Sequence, residues 1–133
     1  MDTKLKKYEG QVIDNFTFNR NVLVLNFASG DKLELYARGD CCSESWFEQI
    51  AGEEALVKGS TLRTIELIDL DKVMEIDCIT VIQHYGVKFM TDNGYADVDM
   101  RNSSNGYYGG YISINDNSQY SSNLLDPVDP KLL

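Results

Sequence analysis

With 133 residues, 43% hydrophobic and 25% charged, the chain has the size and composition of one soluble globular domain that buries a core without disulfide or metal staples. Its 21 acidic and 12 basic side chains leave a net charge of −9, which disfavours non-specific DNA or RNA binding, because that rests on Lys and Arg neutralising phosphates. No stretch reaches the roughly 18 apolar residues of a membrane span, the basic residues 1–7 have no apolar run behind them as a secretory signal would, and an odd three cysteines, two of them adjacent, point to a reducing compartment.

Residues 8–38 read as a β-meander. Val22-Leu23-Val24-Leu25-Asn26-Phe27 and Lys32-Leu33-Glu34-Leu35-Tyr36 are strands around Ser29-Gly30-Asp31. A three-residue loop there predicts Phe27 opposite Leu33 and Leu25 opposite Leu35, so that all four share a face. A strand before it, near residues 12–18, turns through Asn19-Arg20-Asn21.

Residues 39–50 read as a loop followed by a helix. Ser43 or Ser45 is the candidate N-cap, and Trp46, Phe47 and Ile50 make one core-facing stripe. Gly52 ends or kinks that helix, and residues 53–57 predict a second short turn before Gly59. Residues 61–70 alternate as a strand, with Leu62, Thr64 and Glu66 on one side and Arg63, Ile65 and Leu67 on the other. Asp69-Leu70-Asp71-Lys72 reads as a loop. A further strand run opens at Cys78-Ile79-Thr80-Val81-Ile82 and continues to Thr91.

Asn93-Gly94 is the strongest short hairpin signal in the chain. A two-residue turn there predicts Val87 opposite Met100, Phe89 opposite Val98, Lys88 opposite Asp99 and Gly86 opposite Arg101. A three-residue Ser104-Asn105-Gly106 loop then pairs Val98 with Ile112, Ala96 with Ile114, Arg101 with Gly109 and Asp99 with Tyr111. The result is a C-terminal three-stranded unit with one apolar face. Its other face carries Arg101 between two glycines, in a trough walled by tyrosines. From Asn115 the composition turns polar, and residues 115–133 predict an irregular tail. The expected fold is α+β in a single domain over residues 1–133: mainly antiparallel sheet, a meander plus the C-terminal unit, packed with one or two short helices.

The trough is the candidate ligand site. Arg suits bidentate binding of phosphate or carboxylate, and Tyr rings stack on bases or sugars. The residues assigned to it are Arg101, Ser103, Tyr107, Tyr111, His84 and Lys88, with Asp40 and Trp46 from the preceding loop closing one side. The competing reading has Arg101 paired with Asp99 or Asp97 on a solvated sheet face. Cys41, Cys42, Cys78 and His84 match no zinc spacing, and no metal or cofactor is expected. Cys41 or Cys42 before a helix start, with His84, has the residue types of a nucleophile and its base, yet no orienting partner is visible. Asp69, Asp71 and Asp77 lack the spacing of a calcium loop. No phosphate-loop, dinucleotide or GxSxG motif is present.

Gly39-Asp40-Cys41-Cys42-Ser43-Glu44-Ser45-Trp46 and Arg101-Asn102-Ser103-Ser104-Asn105-Gly106-Tyr107-Tyr108-Gly109-Gly110 resemble a family of small, functionally uncharacterised domains encoded by bacteriophages and bacteria, over roughly residues 10–114. The resemblance implies a phage or prophage accessory protein in the bacterial cytosol, a setting in which small acidic proteins act as counter-defence factors. Two functions are therefore expected. The first is non-enzymatic sequestration of a small anionic, nucleotide-like ligand such as a cyclic-nucleotide immune signal, by a protein that associates into homo-oligomers through a free sheet edge. The second is protein–protein inhibition of a bacterial defence enzyme by an acidic, nucleic-acid-mimicking surface.

Overall fold

The computed structural model describes residues 3–39, 43–75, 80–104 and 109–115. Their alternating apolar residues form strands β1 (Ile13–Phe18), β2 (Val22–Phe27), β3 (Lys32–Gly39), β4 (Glu44–Ala51), β5 (Leu62–Glu75), β6 (Val81–Thr91), β7 (Gly94–Ser104) and β8 (Gly110–Ile114). All pair antiparallel, in two four-stranded sheets of order β1-β2-β3-β8 and β4-β7-β6-β5. Leu23, Leu25, Leu33 and Leu35 of the first sheet share one buried core with Phe47, Ile65, Val87, Phe89, Val98 and Met100 of the second. The sheets are also joined at an edge, where Ile13 N–H donates to the Ser60 carbonyl at 2.8 Å and Val12 bridges Thr61.

The meander over residues 8–38 forms as expected, with one displacement. The β2–β3 loop is Ala28-Ser29-Gly30, closed by Phe27 N–H on the Asp31 carbonyl at 2.9 Å, and Gly30 takes a left-handed φ of 97°. Leu25 therefore faces Leu33, and Leu23 faces Leu35. Sliding a loop of fixed length by one residue moves the register by two, so the expected pairs change while the shared face survives. The Asn93-Gly94 turn behaves in the same way. Asp92 and Asn93 form the turn, Thr91 faces Gly94, and the pairs become Val87 with Val98 and Phe89 with Ala96.

The expected helix over residues 43–50 is instead β4. Phe47 faces Met100 and Gln49 faces Asp99, which leaves Glu48 as an extra residue in a β-bulge. The bulge turns Phe47 and Ile50 toward the core although they stand three residues apart, a spacing that imitates a helix. Helical structure among the described residues is confined to α1 (Thr3–Lys6) and a single 3-10 turn at Glu53–Leu56. The helical half of the α+β reading therefore reduces to these turns beside an antiparallel fold. The expected loop at residues 69–72 is also overturned. β5 runs through it, with a register irregularity between Asp69 and Lys72.

The C-terminal three-stranded unit does not form. β7 is already hydrogen-bonded on both sides, by β4 and β6, so β8 takes the free edge of β3 in the other sheet. Ile114 faces Leu35, Ile112 faces Ala37, Tyr111 faces Arg38 and Gly110 faces Gly39. Asn105 and Gly106 of the expected hairpin, and residues 116–133 of the expected tail, lie outside the described residues. Asn115 itself is fixed. Its φ is 53°, its side-chain oxygen accepts from Glu34 N–H at 2.7 Å, and its amide donates to the Tyr8 hydroxyl at 2.6 Å.

Candidate functional site

The described residues of the two distinctive stretches, 39 and 43–46 with 101–104 and 109–110, converge at the end of the second sheet away from the Asp92-Asn93 turn. Between the sheets, Gly39 and Gly110 lie directly opposite each other over Asn102 and Ser45. A Cβ on Gly110 would come within 2.8 Å of Ser45 Oγ and 2.9 Å of Asn102 Cβ, and one on Gly39 within 2.6 Å of Ser43 Oγ. What approaches these glycines is the second sheet, so their presence follows from packing and does not indicate a ligand trough. Fully buried Asn102 donates to Ser43 Oγ at 3.1 Å and Ser45 Oγ at 2.8 Å, and Ser45 Oγ donates to the Arg38 carbonyl at 2.6 Å. Asn102 Oδ1 is buried without a partner among the described residues.

On the opposite face of β7 the side chain of Arg101 points outward between Trp46 of β4 and His84 of β6, its register neighbours. These neighbours replace the expected Gly86 and Gly109. Arg101 pairs with Asp99 Oδ2 at 3.1 Å and stands 3.9 Å from Glu48 Oε1. Trp46 Nε1 donates to Glu48 Oε1 at 2.7 Å, and the Arg20 guanidinium lies 5.4 Å from the Trp46 ring centre. The Trp46 hydrogen bond, assisted by the charges of Arg101 and Arg20 against a smaller opposing effect of burial, holds the Glu48 carboxyl below its usual range. The alternative in which Arg101 pairs with a carboxylate on a sheet face is the arrangement found, with Asp99 as the partner.

Of the expected site residues, Arg101, Ser103, His84 and Trp46 come together on this outer face. Ser103 lies between Glu44 and Ile82. Lys88 is on the same face but further along, opposite Asp97, with its ammonium 4.5 Å from the Tyr95 ring centre. Tyr111 belongs to the other sheet, opposite Arg38, and cannot wall the same trough. Asp40 and Tyr107 lie outside the described residues, as do Cys41, Cys42 and Cys78 of the zinc and nucleophile alternatives. Sequence reasoning missed Glu48 and Arg20. With residues 44–51 taken as a strand, Trp46 and Glu48 two residues apart give the signal, since such positions share a face. Among the residues whose side chains are described, the outer face carries Glu44, Glu48, Glu66, Asp97 and Asp99 against Lys88 and Arg101, with Arg20 over Trp46 at its edge, so carboxylates prevail among them. Among the described residues no group of three His, Cys, Asp or Glu side chains is placed to hold a metal, and no helix is long and apolar enough to cross a membrane.

The chain belongs to the family described as Domain of unknown function (DUF7448), whose model matches residues 5–114. It is similar to an uncharacterized protein, L278, of Acanthamoeba polyphaga mimivirus, with 37% identity over 101 residues that cover 71% of this chain and 77% of that protein. No solved structure matches the chain.

Proposed function

We propose that the protein is a non-enzymatic binding protein that docks a basic partner protein on the outer face of the β4-β7-β6-β5 sheet. One observation carries this reading. Arg101, the residue best suited to hold an anion, is already committed to Asp99 and Glu48 on a face where carboxylates prevail. Such a face attracts cationic surfaces and repels free anions. The fitting setting is that of a viral accessory protein that blocks a host defence enzyme by contact, and the similar mimivirus protein is itself viral. The test is capture of a partner by the wild-type protein and by the charge-reversed Glu44→Lys/Glu66→Lys variant. Binding is expected to weaken as salt rises from about 0.05 to 0.5 M, and to fall about tenfold or more in the variant. Equal binding by the variant overturns the reading.

A second reading, capture of a small anion, is favoured by the Arg101 guanidinium, whose side chain is 30% exposed and whose Nε meets no acceptor among the described residues. Cyclic dinucleotides are the probe. A rise in melting temperature that disappears in Arg101→Ala selects this reading over docking.

A further inference from the structure

The outer face of the second sheet has a shallow depression over Gly86, lined by Gln49, Ala51, Ile68, Gly86, Asp97 and Asp99. Its volume is about 210 Å³. Sites for drug-sized ligands span roughly 300–1,000 Å³, so this one has room for a single side chain and not for a nucleotide.

Gly86, like Gly109, differs in kind from the glycines pressed against neighbouring atoms. At Gly39 and Gly110 an added Cβ collides with the second sheet, and at Gly52 it collides with the Tyr95 carbonyl. At Gly86 the nearest atoms to an added Cβ are the Val98 carbonyl at 3.6 Å and Ile68 Cβ at 3.7 Å, which is ordinary van der Waals contact. Its φ lies outside the left-handed region as well. Neither packing nor backbone conformation requires glycine in the middle of this sheet, where it weakens the strand. What the glycine does achieve is an open hollow, since any larger side chain would fill it.

The charges around the hollow have one sign. Asp99 uses Oδ2 to hold Arg101, while its Oδ1 is inaccessible to solvent and meets no donor among the described residues. Asp97 is exposed and makes no ion pair among the described residues, because Lys88 across from it leans over the Tyr95 ring. The hollow thus has a mainly apolar floor and an acidic rim. That combination suits a long aliphatic stem ending in a cation.

Resting on the docking function proposed above, we infer that the depression over Gly86 receives one lysine or arginine side chain of the partner protein. The stem lies on Gly86, Ala51 and Ile68, and the cationic head reaches the exposed Asp97 carboxylate at the rim. The unpaired Asp97 carboxylate and the missing side chain at position 86 together form a socket for a cation that the described residues do not supply.

The test uses an acetylated, amidated arginine-rich peptide as the probe and its citrulline counterpart as an uncharged control, with binding followed by amide NMR shifts and by affinity. The expected result is that the arginine peptide moves the amides of Gly86, Val98 and Asp99 and the citrulline peptide does not. Gly86→Leu, which fills the hollow without changing charge, is expected to weaken binding about tenfold, and Asp97→Asn similarly. Gly86→Ala serves as the milder variant, since its Cβ has only ordinary contacts, and melting curves establish that each variant folds. Three outcomes separate the possibilities. Loss of binding in both Gly86→Leu and Glu44→Lys/Glu66→Lys supports the socket. Loss in the charge-reversed variant alone overturns the socket and leaves the docking face standing. Loss in neither overturns both.

Discussion

The two ends of the second sheet treat their buried polar groups in opposite ways. At the Asp92-Asn93 end the buried Thr91 and Ser60 are matched, and the exposed turn residues bond to them and to Thr61. Thr91 Oγ1 donates to the Ala55 carbonyl at 2.8 Å and accepts from Asn93 N–H at 3.0 Å. Asn93 donates to Ser60 Oγ at 2.7 Å, and Asp92 accepts from Thr61 N–H at 2.9 Å. Toward the other end, Asp99 Oδ1, Arg101 Nε and Asn102 Oδ1 are buried without partners among the described residues. Unmatched buried polar atoms are destabilising and uncommon, and they gather where a protein does something besides fold. Under the docking function proposed above, the contrast puts stability at the turn end and binding at the Arg101 end.

The largest expected effect that tests this division is at Gly52. It sits at φ 78°, and an added Cβ would strike the Tyr95 carbonyl. Gly52→Ala is expected to destabilise by about 3 kcal/mol in denaturant unfolding, from left-handed strain together with the clash. A near-neutral result would remove the turn end's claim to rigidity.

A finer comparison sets Thr91→Val against Arg101→Ala. Thr91→Val leaves the Ala55 carbonyl and Asn93 N–H without partners, and is expected to cost about 1–3 kcal/mol. Arg101→Ala breaks ion pairs of a side chain that is 30% exposed, and is expected to cost under about 1 kcal/mol. If Arg101→Ala proves as damaging as Thr91→Val, Arg101 belongs to the framework and the division fails.

The smallest effect is spectroscopic. Glu48 has its folded pKa lowered, first by the Trp46 hydrogen bond and then by Arg101 and Arg20. A lowered carboxyl stabilises the fold above its unfolded pKa and loses that contribution as pH falls through the folded value. Trp46 is the chain's one tryptophan, so its fluorescence reports this step directly. An acid titration is expected to show a transition below the ordinary glutamate range that vanishes in Glu48→Gln. Persistence in that variant would detach Trp46 from Glu48.

Face assignment was legible in the sequence wherever loop parity governed it. Leu23, Leu25, Leu33 and Leu35 are buried together, and Val87, Phe89, Val98 and Met100 likewise, although both registers differ by two from expectation. Bulges were not legible. Glu48 in β4 makes Phe47 and Ile50 resemble a helix stripe, and the irregularity between Leu62 and Thr64 turns Leu62 and Ile65 to the same side. Sheet membership was not legible either. That β8 joins β3 depends on β4 having already occupied β7, a fact about topology that no local pattern carries. For the site, Arg101, His84, Trp46 and Ser103 lie on one face, but the glycines expected beside Arg101 are replaced by Trp46 and His84. Their meaning changed once Glu48 and Asp99 were seen to hold the arginine.

The seating of β8 also bears on how the chain is made. Residues 13–39 contain everything the β1-β2-β3 meander needs, yet its open edge waits for residues 110–115. The bond from Asn115 to Tyr8 spans 107 residues of sequence. During synthesis the first sheet therefore leaves the ribosome with β3 unpaired along one side, and is sealed only when nearly the whole domain has followed. Such long-range closure places the protein among slow folders, on a scale of roughly milliseconds to seconds. The interval before β8 arrives is when the nascent chain is most exposed to pairing with a neighbour.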